Sequence, residues 1–370
     1  MKRFIPLIII SMLFLITAAM FVFTGNPEVC EPPPEELAVP DKPWEKPAIP
    51  EPDPEPEPEP EPEWDGPVNP LTGLPVETEI HMYRPLAIVI NNLRVAQPQL
   101  GIGMADIIYE APAEGGVTRM VAVFQDVSDV GVIGTVRSAR PYHVDIAQAH
   151  DAIFIFAGGS PEAYRILSNR NITRLDGVHG RQTQIFYRDQ QRRRNMGFEH
   201  SLVTSGELIT QWLPTYNFRL ELDDNFEHTK QFVDDGTPPG GTPAEEFTVR
   251  FPGAKSTSFS YSDGRYYVSQ FGGPYRDGND GTQLAVTNVL ILRTAVSRIP
   301  GDAEGRLRVT LVGSGSGYFF SGGEYVEIEW SRENETAPFA YTHLDGTPLV
   351  FGRGSTYVCV VATDSEVTIN

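Results

Sequence analysis

The apolar positions of this chain fall into three regimes along its length. The first is one unbroken run, FIPLIIISMLFLITAAMFVF at residues 4–23, which carries no charge. Such a length suits a helix crossing a hydrocarbon core of about 30 Å. The second regime covers residues 68–222. It holds short runs with continuous apolar centres: RPLAIVINN (84–92), IIYEAP (107–112), VTRMVAVFQ (117–125) and AIFIFAG (152–158). A strand covered on both faces reads this way. Helix starts follow these runs. Pro141 opens a helix over 141–151, with Val144, Ala147 and Gln148 at helical spacing. Ser160-Pro161-Glu162 supplies a cap, a first-position proline and a first-turn acid for a second helix with Ala163, Ile166 and Leu167 as its stripe. A third helix is predicted over 205–213. The third regime, residues 223–370, alternates β-prone runs with turns: FTVRF, TSFSYSDGRYYVSQF, LAVTNVLILRT, LRVTLVG, GYFFSGGEYVEIEW and TYVCVVA. Ser262-Asp263-Gly264 and Ser321-Gly322-Gly323 are hairpin signals, and no helix of convincing length is predicted between residues 246 and 370. The predicted fold is an α+β or α/β N-terminal domain (68–222), a mixed sheet flanked by helices. A β-rich C-terminal domain (223–370) follows it, as a twisted sheet or open barrel.

Charge adds a topology. Lys2 and Arg3 precede the apolar run and acids follow it, which orients residues 1–3 toward the cytoplasm and the bulk of the chain outside it. Residues 4–24 are read as an uncleaved single-pass anchor, because Thr17-Ala18-Ala19-Met20 is a poor cleavage site and lies inside the run. Residues 25–67 form a Pro/Glu-rich linker with EPDPEPEPEPEPE at 51–63. Alternating proline favours extended polyproline II, so this linker reaches on the order of 120 Å at ~3.1 Å per residue. Net charge is uneven: residues 68–220 hold 14 acids and 14 bases, while residues 221–370 hold 21 acids and 11 bases. All 14 bases of the middle segment are arginine, whose planar fork suits carboxylate and phosphate.

Several chemistries find no support in the pattern. Cys30 and Cys359 are the only cysteines, and Cys359 in TYVCVVA reads as a small buried apolar residue. The seven histidines show no metal-ligand spacing. There is no phosphate loop or dinucleotide fingerprint, and GSGSG (313–317) reads as a β-turn. No metal or cofactor is therefore expected. Arg192-Arg193-Arg194 is read as a solvated loop, with an anionic wall polymer or lipid head groups as its functional alternative, and the compartment argues against a nucleic-acid partner.

Two constellations remain. Glu110 and Glu114 share one face if 107–114 is a regular strand, and a pair of carboxylates can serve as acid and base on a glycoside; the alternative is that they pair with Arg119 or another arginine. Arg137, Ser138 and Arg140 precede the helix at Pro141, where free N–H groups and two guanidiniums form an anion site. Gly158-Gly159-Ser160 offers a second strand-to-helix turn, with Ser160 as its helix cap rather than a nucleophile.

NPLTGLP (69–75), RPLAIVINN (84–92), ADIIYEAPAEGGVTR (105–119), IGTVRSARPY (133–142) and FAGGSPEA (156–163) resemble the YerB-like family. These are surface lipoproteins and related envelope proteins of Gram-positive bacteria. GSGSGYFFSGG (313–323) and EWSRENETAPF (329–339) extend the resemblance into the second domain. It implies a two-part extracytoplasmic domain of unknown function, and no catalytic residues carry over. The chain departs from a lipoprotein pattern at Cys30, which follows Pro27-Glu28-Val29 rather than a small residue. The reading is a non-enzymatic, membrane-anchored envelope protein that binds an anionic cell-wall polymer or an envelope protein. The alternatives are a cell-wall carbohydrate hydrolase using the paired glutamates, or a scaffold for wall-synthesis enzymes.

Overall fold

The computed structural model describes residues 66–180, 183–253 and 255–370. The predicted anchor (4–24), and all but the last two residues of the predicted linker (25–67), lie outside the described residues. Among the described residues no helix is long and apolar enough to cross a membrane.

The N-terminal segment contributes β1 (Leu86–Asn92), β2 (Ile107–Pro112), β3 (Thr118–Phe124), α1 (Pro141–Gln148), β4 (Ile153–Phe156), α2 (Pro161–Asn169), β5 (Arg174–Asp176), α3 (Gln190–Asn195) and α4 (Gly206–Trp212). The longer strands that follow are β6 (Glu246–Arg250), β7 (Ser256–Ser262), β8 (Arg265–Gln270), β9 (Asn288–Thr294), β10 (Gly313–Ser321), β11 (Glu324–Arg332), β12 (Thr356–Ala362) and β13 (Val367–Ile369). Eleven strands form one mixed sheet whose path includes β11-β10-β9-β12-β2-β3-β1-β4-β5. A six-stranded antiparallel sheet includes β8-β7-β6-β13. The mixed sheet and the β-rich second segment are those the apolar pattern predicts. The pattern does not disclose that β12 pairs in parallel with β2, with Ile107 opposite Thr356 and Glu110 opposite Cys359. The large sheet is thus built from both segments.

Side-chain alternation assigns the two faces. On β1, Ala87 and Val89 enter one apolar core with Tyr142, Val144 and Ile146 of α1 and Ala163 and Leu167 of α2. Leu86, Ile88 and Ile90 enter the other, with Phe247, Val249, Phe259 and Val268 of the six-stranded sheet and Ile209 of α4. Both faces are covered, which is why β1 is apolar at five consecutive positions. On β12, Val358 and Val360 face the first core, and Tyr357, Cys359 and Val361 the second. Cys359 is a buried free thiol, as its setting predicts.

Local chemistry follows the turn residues. Asp263 and Gly264, both at positive φ, close the β7–β8 hairpin, and Gly322 and Gly323 close β10–β11. Ser160 caps α2 by accepting from the Ala163 N–H at 3.2 Å. Two expectations are corrected. GSGSG is not a turn but the opening half of β10. A Cβ on Gly317 would sit 2.3 Å from the Ile291 carbonyl oxygen, and one on Gly315 would sit 2.6 Å from Trp330 Nε1. These glycines let β10 run hard against β9. The segment around Arg192 is not a solvated loop either. It forms α3, capped by the Asp189 side chain, and Arg192 is buried, donating to the carbonyls of Ala96 and Pro98.

Candidate functional site

β1, β2, β4 and β5 all point the same way, because β1 pairs in parallel with β4, β4 with β5, and β2 and β1 each antiparallel to β3. Their carboxyl ends therefore share one edge of the sheet, the place where open α/β sheets build ligand sites. An extended stretch enters this edge between β1 and β4. The Arg137 N–H donates to Val89 O at 2.9 Å, the Ala157 N–H to Arg137 O at 2.9 Å, and the Ala139 N–H to Gly158 O at 2.9 Å. Eight of the nine residues singled out from the sequence lie along this edge, in different environments, and the ninth, Glu110, lies inside β2.

Glu114 sits in the turn after β2 and receives two guanidiniums. Arg119 Nη2 donates to its Oε1 at 2.9 Å, and Arg140 donates through Nε to Oε2 at 3.0 Å and through Nη2 to Oε1. Burial pushes the Glu114 carboxyl up, but the hydrogen bond from Arg140 and the charges of Arg119 and Arg140 outweigh it and hold it at about 2. Arg140 also donates to Ala139 O at 2.8 Å, and Arg119 to Ser138 O at 3.4 Å. Arg119 and Arg140 are therefore committed to Glu114 rather than free for a ligand. The start of α1 is closed as well. The Arg140 N–H donates to His143 Nδ1 at 3.1 Å. His143 is buried, and burial followed by the charges of Arg119 and Arg140 keeps it neutral.

Glu110 lies elsewhere. Alternation along β2 sends it to the opposite face from Tyr109 and Ala111, into the layer between the two sheets, where it is wholly buried. Its Oε1 accepts from Thr118 Oγ1 at 2.6 Å and Asn92 Nδ2 at 2.9 Å, and Oε2 accepts from Thr257 Oγ1 and Tyr357 Oη, both at 2.7 Å. Lys255 Nζ is 3.3 Å from Oε1. Five of the residues involved come from five different strands or turns, so this carboxylate ties β1, β2, β3, β7 and β12 together. The paired-glutamate expectation is corrected on this geometry. Regular β2 ends at Pro112, one glutamate is interior and the other is held by arginines, and the two do not face a common cleft.

Gly158 has a positive φ of 74°, and its N–H donates to Asp176 Oδ1 at 2.9 Å. The Ser160 N–H donates to Ala139 O at 3.2 Å. The turn Gly158-Gly159-Ser160 thus spends these donors on its own chain.

Arg137 is different. It donates to the Glu199 carbonyl at 2.7 Å, and its only acid contact among the described residues is the Glu199 carboxylate at 3.5 Å, a side chain that is 74% exposed. Beside it, Arg188 stacks 3.6 Å above the Phe198 ring and Arg193 lies 5.4 Å from the same ring. Phe198 is exposed. Among the described residues Arg188 and Arg193 make no ion pair. Burial, then Arg193 and Arg137, lowers the affinity of Arg188 for its proton, which marks the three as one electrostatic group. His200, on the same rim, shares a 3.0 Å hydrogen bond with Asn91 and is lowered by burial and by Arg137. Arg193 belongs to the Arg192-Arg193-Arg194 run that the sequence displays, whereas Arg188 and Phe198 have no sequence signature, and only the fold of the segment after β5 brings the three beside Arg137.

The mixed sheet with α1 and α2 on one face and a second, antiparallel sheet with α4 on the other defines an α/β core fused to a β-rich half. Residues 71–219 match the model "Protein of unknown function (DUF3048) N-terminal domain", and residues 247–358 match its C-terminal domain. The chain belongs to this family, the YerB-like proteins. It is 29% identical over 300 residues to "Putative lipoprotein YerB" of Bacillus subtilis, covering 79% of this chain and 85% of that protein. It is also similar to the crystal structure of YerB protein from Bacillus subtilis, with a TM-score of 0.69 and 27% identity, covering 81% of this chain and 99% of that one.

Proposed function

We propose that this chain is a membrane-anchored protein of the cell envelope whose α/β half binds an anionic envelope polymer through Arg137, Arg188 and Arg193. The observation that carries the reading is the exposed Phe198 ring flanked by Arg188 and Arg193, next to an Arg137 whose sole acid contact among the described residues is the exposed Glu199. Three guanidiniums with so little internal compensation favour a polyanion, and the aromatic ring adds a face for a sugar or a polymer backbone. The location is supported by the uncharged run at residues 4–23 behind Lys2 and Arg3, and by the lipoprotein description carried by the Bacillus subtilis relative. The partners weighed from the sequence stay the same, but the contact residues shift from the Arg137/Arg140 pair to Arg137, Arg188 and Arg193.

Sedimentation of residues 66–370 with purified cell wall tests this. The expected result is binding that needs the anionic polymer, weakens at least tenfold between 50 and 200 mM salt on the order expected for several screened contacts, and is lost in the Arg137→Ala/Arg188→Ala/Arg193→Ala variant. Binding that survives removal of the polymer, or that the triple variant retains, rejects the reading.

A further inference from the structure

A second feature of the carboxyl edge is not used by the arginine cluster. The loop after β1 and the turn after β8 enclose a cavity of about 500 Å³ lined by Asn92, Arg94, Gly116, Lys255 and Phe271 among others. An adjoining cavity of about 610 Å³ shares Arg94, Phe271 and Gly272 and adds Gln97, Gln270 and Tyr275. Together they form a groove at the junction of the two sheets, a usual place for a small-molecule site and of a usual size.

Three groups in the groove are unspent. Gln270 is only 5% exposed, and its Nε2 donates to Tyr357 Oη at 3.0 Å, yet its Oε1 is buried with no hydrogen-bond partner among the described residues. A buried amide oxygen left without a donor is costly and calls for one from outside the chain. Arg94 is exposed at the rim and makes no ion pair among the described residues. Phe271 and Gly272, at positive φ of 56° and 85°, form the two-residue turn that follows Gln270 and returns at Gly273, and this turn holds the Phe271 ring at the groove. The Lys255 ammonium lies 4.6 Å from one face of its ring. The first cavity is lined by no carboxylate. Asp277 of the second has its oxygens occupied by the N–H groups of Gly101, Gly103 and Asn279.

We propose that this groove binds an anionic sugar, with Gln270 Oε1 accepting from a ring hydroxyl, Phe271 packing on the pyranose face and Arg94 pairing with the anionic group. The three demands match one ligand: a hydroxyl donor, a C–H-rich ring face and a carboxylate or phosphate. The site is independent of the Arg137 cluster, whose residues do not line it.

Saturation-transfer NMR on residues 66–370, whose two cores are built from the segment's own residues, tests the site with three probes: a glucuronic-acid disaccharide, glucose 1-phosphate and maltose. Binding of either anionic probe at least tenfold tighter than maltose supports the proposal, and the stronger one identifies the anion. Arg94→Ala is expected to erase that preference. Phe271→Gly, which also relieves the positive φ, is expected to weaken both probes about tenfold. Should Phe271→Gly fail to fold, the exposed Arg94→Ala decides. The Arg137→Ala/Arg188→Ala/Arg193→Ala variant is expected to bind these probes unchanged, so failure of this site and failure of the polymer reading are distinguishable. No transfer to either anionic probe with folded protein, or transfer undiminished in Arg94→Ala, overturns the proposal.

Discussion

Glu110 and Glu114 are four residues apart, and their surroundings give them unrelated work. Glu110 is the interior hub opposite Lys255, with hydrogen bonds at both oxygens. Glu110→Gln removes the charge that balances a buried ammonium, which destabilises by about 3–5 kcal/mol. The double variant Glu110→Gln/Lys255→Met recovers most of that loss, because no lone charge remains. Denaturant titration of the three proteins checks the order. Lys230 is the second residue with a measurable consequence. Its Nζ is buried without a hydrogen-bond partner among the described residues, 5.0 Å from the Phe351 ring. Burial, opposed by Asp106, pulls it down from 10.5 to about 7. The unfolded lysine keeps its proton up to its ordinary value, so between pH 7 and 10.5 the unfolded state holds a proton the folded state lacks. Stability therefore rises with pH through that window, and the penalty of charging the amine is complete below it. Asp106, raised by burial to about 6, titrates below this range, and the neighbouring His228 is lowered by burial to about 4. Lys230→Met is expected to flatten the rise of stability between pH 7 and 10, read from melts at fixed ionic strength. An unchanged slope would show that another group is responsible.

Among the elements, strands and turns were the most legible. Residues 86–92, 107–112, 118–124 and 153–156 are strands where apolar runs stand, and the two hairpins turn on the Asp-Gly and Gly-Gly pairs that positive φ requires. Helix α1 ends at Gln148, short of the predicted 151, since Ala149 is its C-cap and Asp151 already has a positive φ of 49°. Two elements depart from the apolar pattern: α3, where a solvated loop is expected, and the glycine-rich start of β10. Glycine there reflects close approach between strands rather than a turn, and proximity to β9 is a tertiary fact. Gly317→Ala pushes a methyl into the Ile291 carbonyl and is expected to destabilise by about 1–3 kcal/mol. Gly346→Ala, where a Cβ meets no atom within 4 Å, provides a control for backbone strain alone at a positive φ, and its smaller loss in thermal melts separates the two effects.

At the scale of the whole molecule, the parallel pairing of β12 with β2 makes the two family-matched segments depend on each other. Residues 66–222 alone leave β2 as an open apolar edge and strip the second core of its covering sheet. That fragment is expected to show no cooperative melt and to aggregate, whereas 66–370 melts in one transition seen alike by near- and far-UV circular dichroism. Two separate transitions would mean that the halves fold independently. The sequence by itself determined the strands, the capped helices, the hairpin turns, the buried Cys359 and the clustering of Arg119, Arg137, Arg140 and Glu114 near one edge. These follow from side-chain periodicity and from backbone preferences a few residues long. Tertiary structure alone decided that Glu110 is interior, that Arg119 and Arg140 belong to Glu114, that Arg137 joins Arg188 and Arg193 around Phe198, and that Gln270 faces a groove with its acceptor unpaired. Each of those depends on which strand lies beside which across a hundred residues or more, and no local pattern encodes that pairing.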